Sequence, residues 1–564
     1  MHKIKLFTAA LLALSQSAFA QLLPPSAGGQ MQQIPPPPVQ QRIPPEIQFD
    51  KGRAPVVPVA GGDVKIIVDK LQVTGQTVYS EAELLAVTGF KAGSESSLTQ
   101  LGAMALKIAN FYHKNGYFVA QAYLPPQDIT HRAVTIAVIE GRYGTITLRN
   151  QTNLSDAQAN GLLRGLNSGD LIAIAPLEER LLLLSDTPGV IVKSTLVPGA
   201  AVGTSDLIVD VTQGQKVGGS VEADNAGNPY TGEYRIGASV YINNLTGHGD
   251  VAGLRALTSG SGLTYVRASY QAQFGRATAG VAYSHLDYRL QDYKDIKMSA
   301  LQAHGTADIA SVYGSYPLIR SRNNNLYANL AYEDRKYQDK IDATVPPSVL
   351  DRKVQALLLG ISGDHRDRFG GGGYSTYLLT WTAGDLDIQT PAARAVDAVT
   401  AQTNGSYNKL GFHAMRLQTL PGPFSLYGSI RGQFASKNLD ISEKMELGGM
   451  YGVRAYPEGE AYADEGYIAT LEGRMLLPKF YERMPGQMHL IGFADYGHVT
   501  LYHNPWVTGV DNSRSLSAAG VGLNWDDYNN FSVKMYWAHR LGSEKPISAP
   551  DGPSRFWIQV VKYF

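Results

Sequence analysis

Cysteine is absent from all 564 residues. That excludes disulfide scaffolds, zinc ribbons, thiol catalysis and cysteine-held iron–sulfur clusters. Charge is scarce and even, with 49 Lys+Arg against 49 Asp+Glu and 17% charged residues in total. The basic excess that a whole-protein nucleic-acid footprint requires is therefore missing, and no nucleic-acid partner is expected. Beyond the first twenty residues no run of 18 apolar residues occurs, so no helix is expected to cross a bilayer. Any membrane-spanning part must then be a closed β-barrel, the other structure that satisfies its own backbone in lipid. Abundant instead are glycine (59) and tyrosine (32, twice the 16 phenylalanines).

The N-terminus reads as an address. His2, Lys3 and Lys5 precede an apolar stretch from Leu6 to Leu14, and Ala18-Phe19-Ala20 supplies small residues at cleavage-site spacing. This pattern predicts a secretory signal over 1–20, removed before Gln21. Residues 21–62 form a separate, proline-rich segment, with ten prolines between Leu22 and Ala60, four of them consecutive at Pro35–Pro38. Proline removes donors and fixes φ, which favours extended polyproline II over a packed core. At about 3.1 Å per residue the segment reaches on the order of 120 Å, further than a bilayer is thick. It can serve as a tether, or it can thread or partly plug a pore.

Two small α/β units follow, over 63–140 and 141–214. In the first, Val64–Val73 is β-branched and extended, Ser80-Glu81-Ala82-Glu83 opens a capped helix, and Leu98–Tyr112 repeats apolar residues at helical spacing. Phe118–Leu124 and Ala133–Ile139 then read as strands around Pro125-Pro126. The same order of strand, helix, helix, strand, strand recurs from Gly144 to Thr212. From 215 to 564 the chain alternates apolar and polar residues in segments of roughly ten, broken by Gly, Asn and Asp, which is the pattern of a transmembrane barrel. At about 22 residues per strand plus connection, this length accommodates around 16 antiparallel strands. The fold class expected is mainly β, a C-terminal transmembrane barrel preceded by two small α/β domains.

Three local motifs stand out in that frame: Asn244-Leu245-Thr246-Gly247-His248-Gly249-Asp250, Val453-Arg454-Ala455-Tyr456, and Phe493-Ala494-Asp495-Tyr496-Gly497. Phe493 and Asp495 are two apart on one strand and share a face. A carboxylate facing lipid is costly, so that face is expected to be the lumen. An arginine on a glycine-rich loop (Gly448-Gly449, Gly452) presents a planar fork that matches a carboxylate bidentately, with Tyr456 and Phe493 placed to flank it. These motifs, the domain order and the terminal Phe564 resemble the two-partner secretion transporters, the TpsB or ShlB/FhaC/HecB family of haemolysin secretion and activation proteins. The resemblance implies that the small units are POTRA domains facing the periplasm of a Gram-negative cell and binding an unfolded exoprotein. It further implies that Val453, Arg454 and Tyr456 form the tip of a loop folded into the barrel, received by Phe493, Asp495 and Gly497.

Against the family pattern, Ala455 replaces a glycine at the loop tip, and Lys562 takes the third position from the end, where an aromatic is usual. Pro24-Pro25 and Gly28-Gly29 interrupt the stretch Gln21–Gln33 where a plug helix belongs, so a long one is not expected. Substrate capture by strand addition suggests an exposed edge, with Phe118, Val119 and Tyr123 the candidates. The expected partners are a secreted exoprotein and outer-membrane lipid, with periplasmic chaperones and the barrel-assembly machinery as transient ones, for a monomer. No metal-binding, Walker A or Gly-x-Ser-x-Gly motif is present, and His365-Arg366-Asp367 lacks the companions of a kinase loop, so neither a cofactor nor catalysis is expected. The rival readings are a barrel-assembly factor and a passive porin.

Overall fold

The computed structural model describes residues 25–38, 46–49 and 65–564. The expected signal sequence and parts of the proline-rich segment lie outside the described residues. Among the described residues no helix is long and apolar enough to cross a membrane.

The chain begins with a short helix, α1 (Ala27–Gln32), capped by Ser26, whose hydroxyl accepts from Gly29 N. Strand β1 (Glu46–Phe49) follows. In the first α/β unit, the stretch expected as one strand divides into β2 (Lys65–Val68) and β3 (Lys70–Thr74). The division has a physical cause: β2 pairs antiparallel with β4 (Ser94–Ser97), whereas β3 pairs parallel with β6 (Ala133–Ile139). Helices α2 (Glu81–Thr88) and α3 (Leu98–Lys114) each start with a serine capping box, Ser80 with Glu83 and Ser97 with Gln100. Leu101, Ala105, Ile108 and Tyr112 of α3 cover the β3-β6-β5 sheet, with Val73, Val134 and Ile136 beneath them.

Strand β5 is only Gln121–Tyr123, an outer strand bonded to β6 alone. This corrects the expected edge. Phe118 and Val119 precede β5 and pack on the core of the second unit, because α3 ends at Asn115 and residues 117–120 turn toward that unit, Ala120 N donating to Tyr117 O. Tyr123 alone of the three candidates lies on the edge strand, and its side chain is exposed.

The second unit holds β7 (Arg142–Asn150), α4 (Asp156–Leu163), α5 (Ile174–Ser185), β8 (Val190–Pro198) and β9 (Thr204–Gln213). Its sheet runs β1-β8-β9-β7, so Glu46–Phe49 of the proline-rich segment adds a parallel strand to the edge at β8.

Sixteen antiparallel strands close the barrel, from the first (Val217–Asp224) to the sixteenth (Ser554–Tyr563). The closing seam has five register pairs, Ser220↔Tyr563 to Asp224↔Gln559, supplemented by mutual bonds between Gly219 and Phe564. Outward side chains are apolar or aromatic around the wall, among them Leu330, Leu359, Trp381 and Leu490. Burial of alternate residues places the charged ones inside, and ion pairs such as Arg235–Asp224 and Arg255–Glu222 line the lumen. Lys562 points outward and donates to Asn530 in the turn below. His365-Arg366-Asp367 ends the eighth barrel strand (Ser348–Asp367), where Arg416 holds Asp367.

Candidate functional site

The thirteenth barrel strand (Gln487–Thr500) turns Ile491, Phe493, Asp495 and Gly497 inward and Gly492, Ala494 and Tyr496 outward. Beside it, the twelfth (Glu465–Leu476) sets Glu472 opposite Phe493 and Thr470 opposite Asp495. Between the eleventh and twelfth strands the chain leaves the wall and returns through the lumen as a short ribbon, Met445–Glu446 against Tyr462–Ala463. Its tip is a compact set of turns in which Val453 N donates to Leu447 O (2.8 Å), Gly452 N to Gly449 O (3.0 Å) and Tyr456 N to Val453 O (3.0 Å).

The tip delivers Arg454 to the wall. Its Nε and Nη2 donate to the two oxygens of Asp495, each at 2.8 Å, and its backbone N adds a third bond to Asp495 at 3.2 Å. Nη1 donates to Glu472 at 2.9 Å, and Arg474 Nη2 holds the other Glu472 oxygen at 2.7 Å. Two arginines and two carboxylates thus form a neutral cluster in which every Arg454 nitrogen has an acceptor. Thr470 Oγ1 also donates to Asp495, and Trp557 Nε1 donates to the Arg454 carbonyl at 2.6 Å. The guanidinium lies 3.4 Å from the Phe493 ring centroid and 4.9 Å from that of Tyr536. Arg454 is 4% exposed and Asp495 2%, so this is a buried pair, not one bathed in lumen water.

Val453, Arg454, Phe493, Asp495 and Gly497 therefore meet. Gly497 serves the contact sterically: a Cβ there would fall 2.1 Å from Leu447 Cδ2 and 3.2 Å from Val453 Cγ2, so any side chain would have to displace the buried Leu447. Tyr456 does not flank the guanidinium as expected. It is fully buried one turn away and donates to the Glu544 carbonyl at 2.9 Å, while Tyr536 takes the flanking place. Ala455, buried, is absent from the residues with positive φ, so the missing glycine costs the tip nothing. Sequence reasoning did not find Glu472, Thr470, Arg474, Tyr536 or Trp557. The signal for the first three was present, since Thr470, Glu472 and Arg474 are two apart on a strand and share the lumen face.

A second obstruction shares the lumen. Helix α1 lies across the inner wall, its Ala27 N donating to Asp339 at 2.8 Å and Gln30 accepting from Thr231 at 2.7 Å. Arg235 and Arg255 hold the Gln33 and Pro35 carbonyls at 3.0 and 2.6 Å. Gln33 also donates to Tyr462 of the loop ribbon at 2.6 Å. The glycines read as interruptions sit inside this helix. Gly28 lies so near Ser442 that a Cβ would meet its Cβ at 2.5 Å, and the helix stays short, as the prolines require. What is left of the lumen is a cavity of about 1080 Å³, lined in part by Pro35, Arg431, Arg474, Asp526 and Lys534.

The turn Asn244–Asp250 receives the second unit. Asn244 and Asn153 exchange bonds of 2.6 and 2.8 Å, Ser155 N donates to Gly247 O at 3.0 Å, and Asn244 Oδ1 accepts from Gly249 N at 3.0 Å.

Comparison with known proteins agrees with this geometry. The family described as haemolysin secretion/activation protein ShlB/FhaC/HecB matches residues 203–525, and the ShlB-type POTRA domain matches residues 66–141. The heme/hemopexin transporter protein HuxB of Haemophilus influenzae is 31% identical over 490 residues, covering 86% of this chain and 84% of HuxB. The outer membrane transporter CdiB of Dickeya dadantii is 24% identical over 69% of each chain. In fold, CdiB from Escherichia coli superposes with a TM-score of 0.67 at 19% identity, covering 91% of this chain and 93% of that one. The architecture is that of an outer-membrane β-barrel transporter with POTRA units. The chain belongs to the ShlB/FhaC/HecB family, the transporters of two-partner secretion, which export a partner protein across the outer membrane.

Proposed function

We propose that this transporter holds its pore shut with the Arg454 loop, and that its two α/β units capture the unfolded exoprotein in the periplasm. The observation that carries the gate is the Arg454 cluster, fully hydrogen-bonded and buried at the tip of a loop whose flanks are also tied to the wall, Glu443 to Arg335 and Lys409 and Glu460 to Arg514. Removing one partner of a buried pair costs roughly 3–5 kcal/mol because the other charge is left buried and unpaired, so the cluster fixes where the tip docks and release requires both charges to find other partners. An exoprotein entering from the side of the α/β units supplies that interaction. Capture is best supported at β5, a short outer strand with unpaired backbone groups and the exposed Tyr123. No catalytic step is part of this reading. A passive porin is disfavoured by a lumen occupied by both the loop and α1. Similarity to the heme/hemopexin transporters makes an exoprotein of that kind the first partner to test.

Arg454→Ala tests the gate. With the exoprotein co-expressed, export is expected to fall to background while the barrel remains in the membrane. In planar bilayers the same variant is expected to spend more time in open states. Normal export at normal transporter levels, with unchanged conductance, would sink the proposal.

A further inference from the structure

Residues 477–486, which join the twelfth and thirteenth barrel strands, form the longest turn at the end of the barrel that carries the α/β units. On the strands that follow, Met488 and Leu490 face outward, opposite Trp525 and Leu523 of the fourteenth strand (Ser513–Asp527). The turn is braced against this lipid-facing wall. Trp525 donates its indole N–H to the Pro485 carbonyl at 2.9 Å and meets Phe531 edge-on at 4.8 Å. Met484 is buried, and its N–H donates to Tyr481 O at 3.1 Å.

The tip so held carries Lys479, Phe480, Tyr481, Glu482 and Arg483. Phe480 is 70% exposed and Tyr481 60%. Among the described residues no carboxylate pairs with Lys479 or Arg483. Leaving two large aromatics in water on a fixed turn is unfavourable, whereas a membrane interface suits aromatic rings with cations beside them. The wall above the turn already faces lipid, so the tip continues an existing interface, and its free cations complement anionic head groups.

We propose that residues 477–486 anchor the barrel to anionic phospholipid. Phe480 and Tyr481 enter the inner leaflet of the outer membrane, and Lys479 and Arg483 hold lipid phosphates. The leaflet follows from the periplasmic placement of the α/β units proposed above. The anchor lies across the rim from the turn at Gly275-Arg276, where Arg276 binds Glu179 of the second unit. It therefore steadies the side of the barrel that the α/β units do not.

The cysteine-free chain makes the test direct. Phe480→Cys carries a nitroxide label, with Ser168→Cys on an exposed loop of the second unit as the aqueous reference. The full-length protein is reconstituted in phosphatidylcholine vesicles with or without phosphatidylglycerol. Relative to position 168, the label at 480 is expected to gain collisions with oxygen and lose them with an aqueous nickel chelate, with a further shift toward greater depth when phosphatidylglycerol is present. Lys479→Gln with Arg483→Gln should abolish that second shift. Phe480 is 70% exposed and no ion pair holds Lys479 or Arg483 among the described residues, so these variants are expected to fold. Equal nickel access at 480 and 168 overturns the anchor, and equal depth in both lipids overturns its anionic preference. Label depth does not depend on which way the barrel points, so failure of the anchor and failure of the periplasmic placement are separable.

Discussion

Single residues in this protein act through what their neighbours leave no room for or cannot leave unpaired. Gly497 and Gly492 are on one strand, yet a Cβ at Gly492 meets nothing while one at Gly497 collides with Leu447. Gly497→Val is therefore expected to push the loop tip off the wall and raise channel opening, with Gly492→Val near wild type in the same planar-bilayer recording. Glu140 illustrates the second constraint. It is 4% exposed and accepts from Thr77 N (2.6 Å), Val78 N (2.8 Å), the Thr77 hydroxyl and the Tyr112 hydroxyl (2.8 Å), joining α3 and the β3–α2 connection to the last residue of the first unit. Burial alone raises its carboxyl, but the bonds from Thr77, Val78 and Tyr112 outweigh burial and hold it below the usual carboxylate range. A depressed folded value means that the stabilisation is present above the ordinary pKa of about 4.3 and lost as pH falls through the folded value. Amide exchange of α3 and β6 in the intact protein, corrected for intrinsic rates, should thus accelerate below about pH 4. Glu140→Gln should remove that acid dependence and cost about 1–3 kcal/mol at neutral pH.

Among the elements, α1 is the one whose role turns on a few atoms. Its contact with Ser442 tolerates no side chain at Gly28, and its C-terminal end is tied to Tyr462, so helix and loop occlude the lumen as neighbours. Gly28→Leu is expected to overpack that contact by about 1–3 kcal/mol, raising the undocked population roughly five- to 150-fold. Conductance should rise, as on deletion of Leu22–Ala60, with the Arg454 cluster intact. Unchanged conductance in both would mean that the segment only tethers. How legible such elements are in sequence depends on whether burial is written as hydrophobicity. The ribbon tip and its receiving strand were readable through the resemblance of Val453-Arg454-Ala455-Tyr456 and Phe493-Ala494-Asp495-Tyr496-Gly497 to the family's motifs, in that order and spacing. The capped helices α2 and α3 were readable from serine and apolar period. The first barrel strand (Val217–Asp224) was not, because its inward residues include Glu222 and Asp224, stabilised by Arg255 and Arg235 from neighbouring strands. The outer half of the seventh (Asn324–Ile341) hides for a related reason: Asp334 on its outward face is paired across the strands with Lys353 of the eighth, so charge replaces apolar alternation there. Addition of Glu46–Phe49 to β8 carries no local signal, since its partner is 147 residues away in Lys193.

At the scale of the molecule, the question is how the α/β units are fixed to the barrel. The second unit meets three barrel turns. Asn153 bonds Asn244, Arg276 binds Glu179, and beyond them Arg320 grips Asp186 with two bonds of 2.7 and 2.9 Å while Arg322 reaches Glu178 at 3.0 Å. The Arg322 pair is exposed and worth about 0–1 kcal/mol. The Arg320 pair is bidentate and partly shielded, with side chains 14% and 30% exposed, which places it at roughly 1–2 kcal/mol after allowance for solvent. A docking surface built this way holds the unit at low salt and yields as salt screens it, with a Debye length near 8 Å at physiological strength. Asp186→Arg should therefore free the second unit, broadening the distance distribution between spin labels on Ser168→Cys and a barrel turn, and Arg320→Asp in the same chain should restore much of the narrow distribution by exchanging the charges. If the single reversal leaves the distribution unchanged at low and high salt, the polar turn at Asn244 alone carries the docking. The exoprotein would then have to be handed to the lumen by units that do not swing.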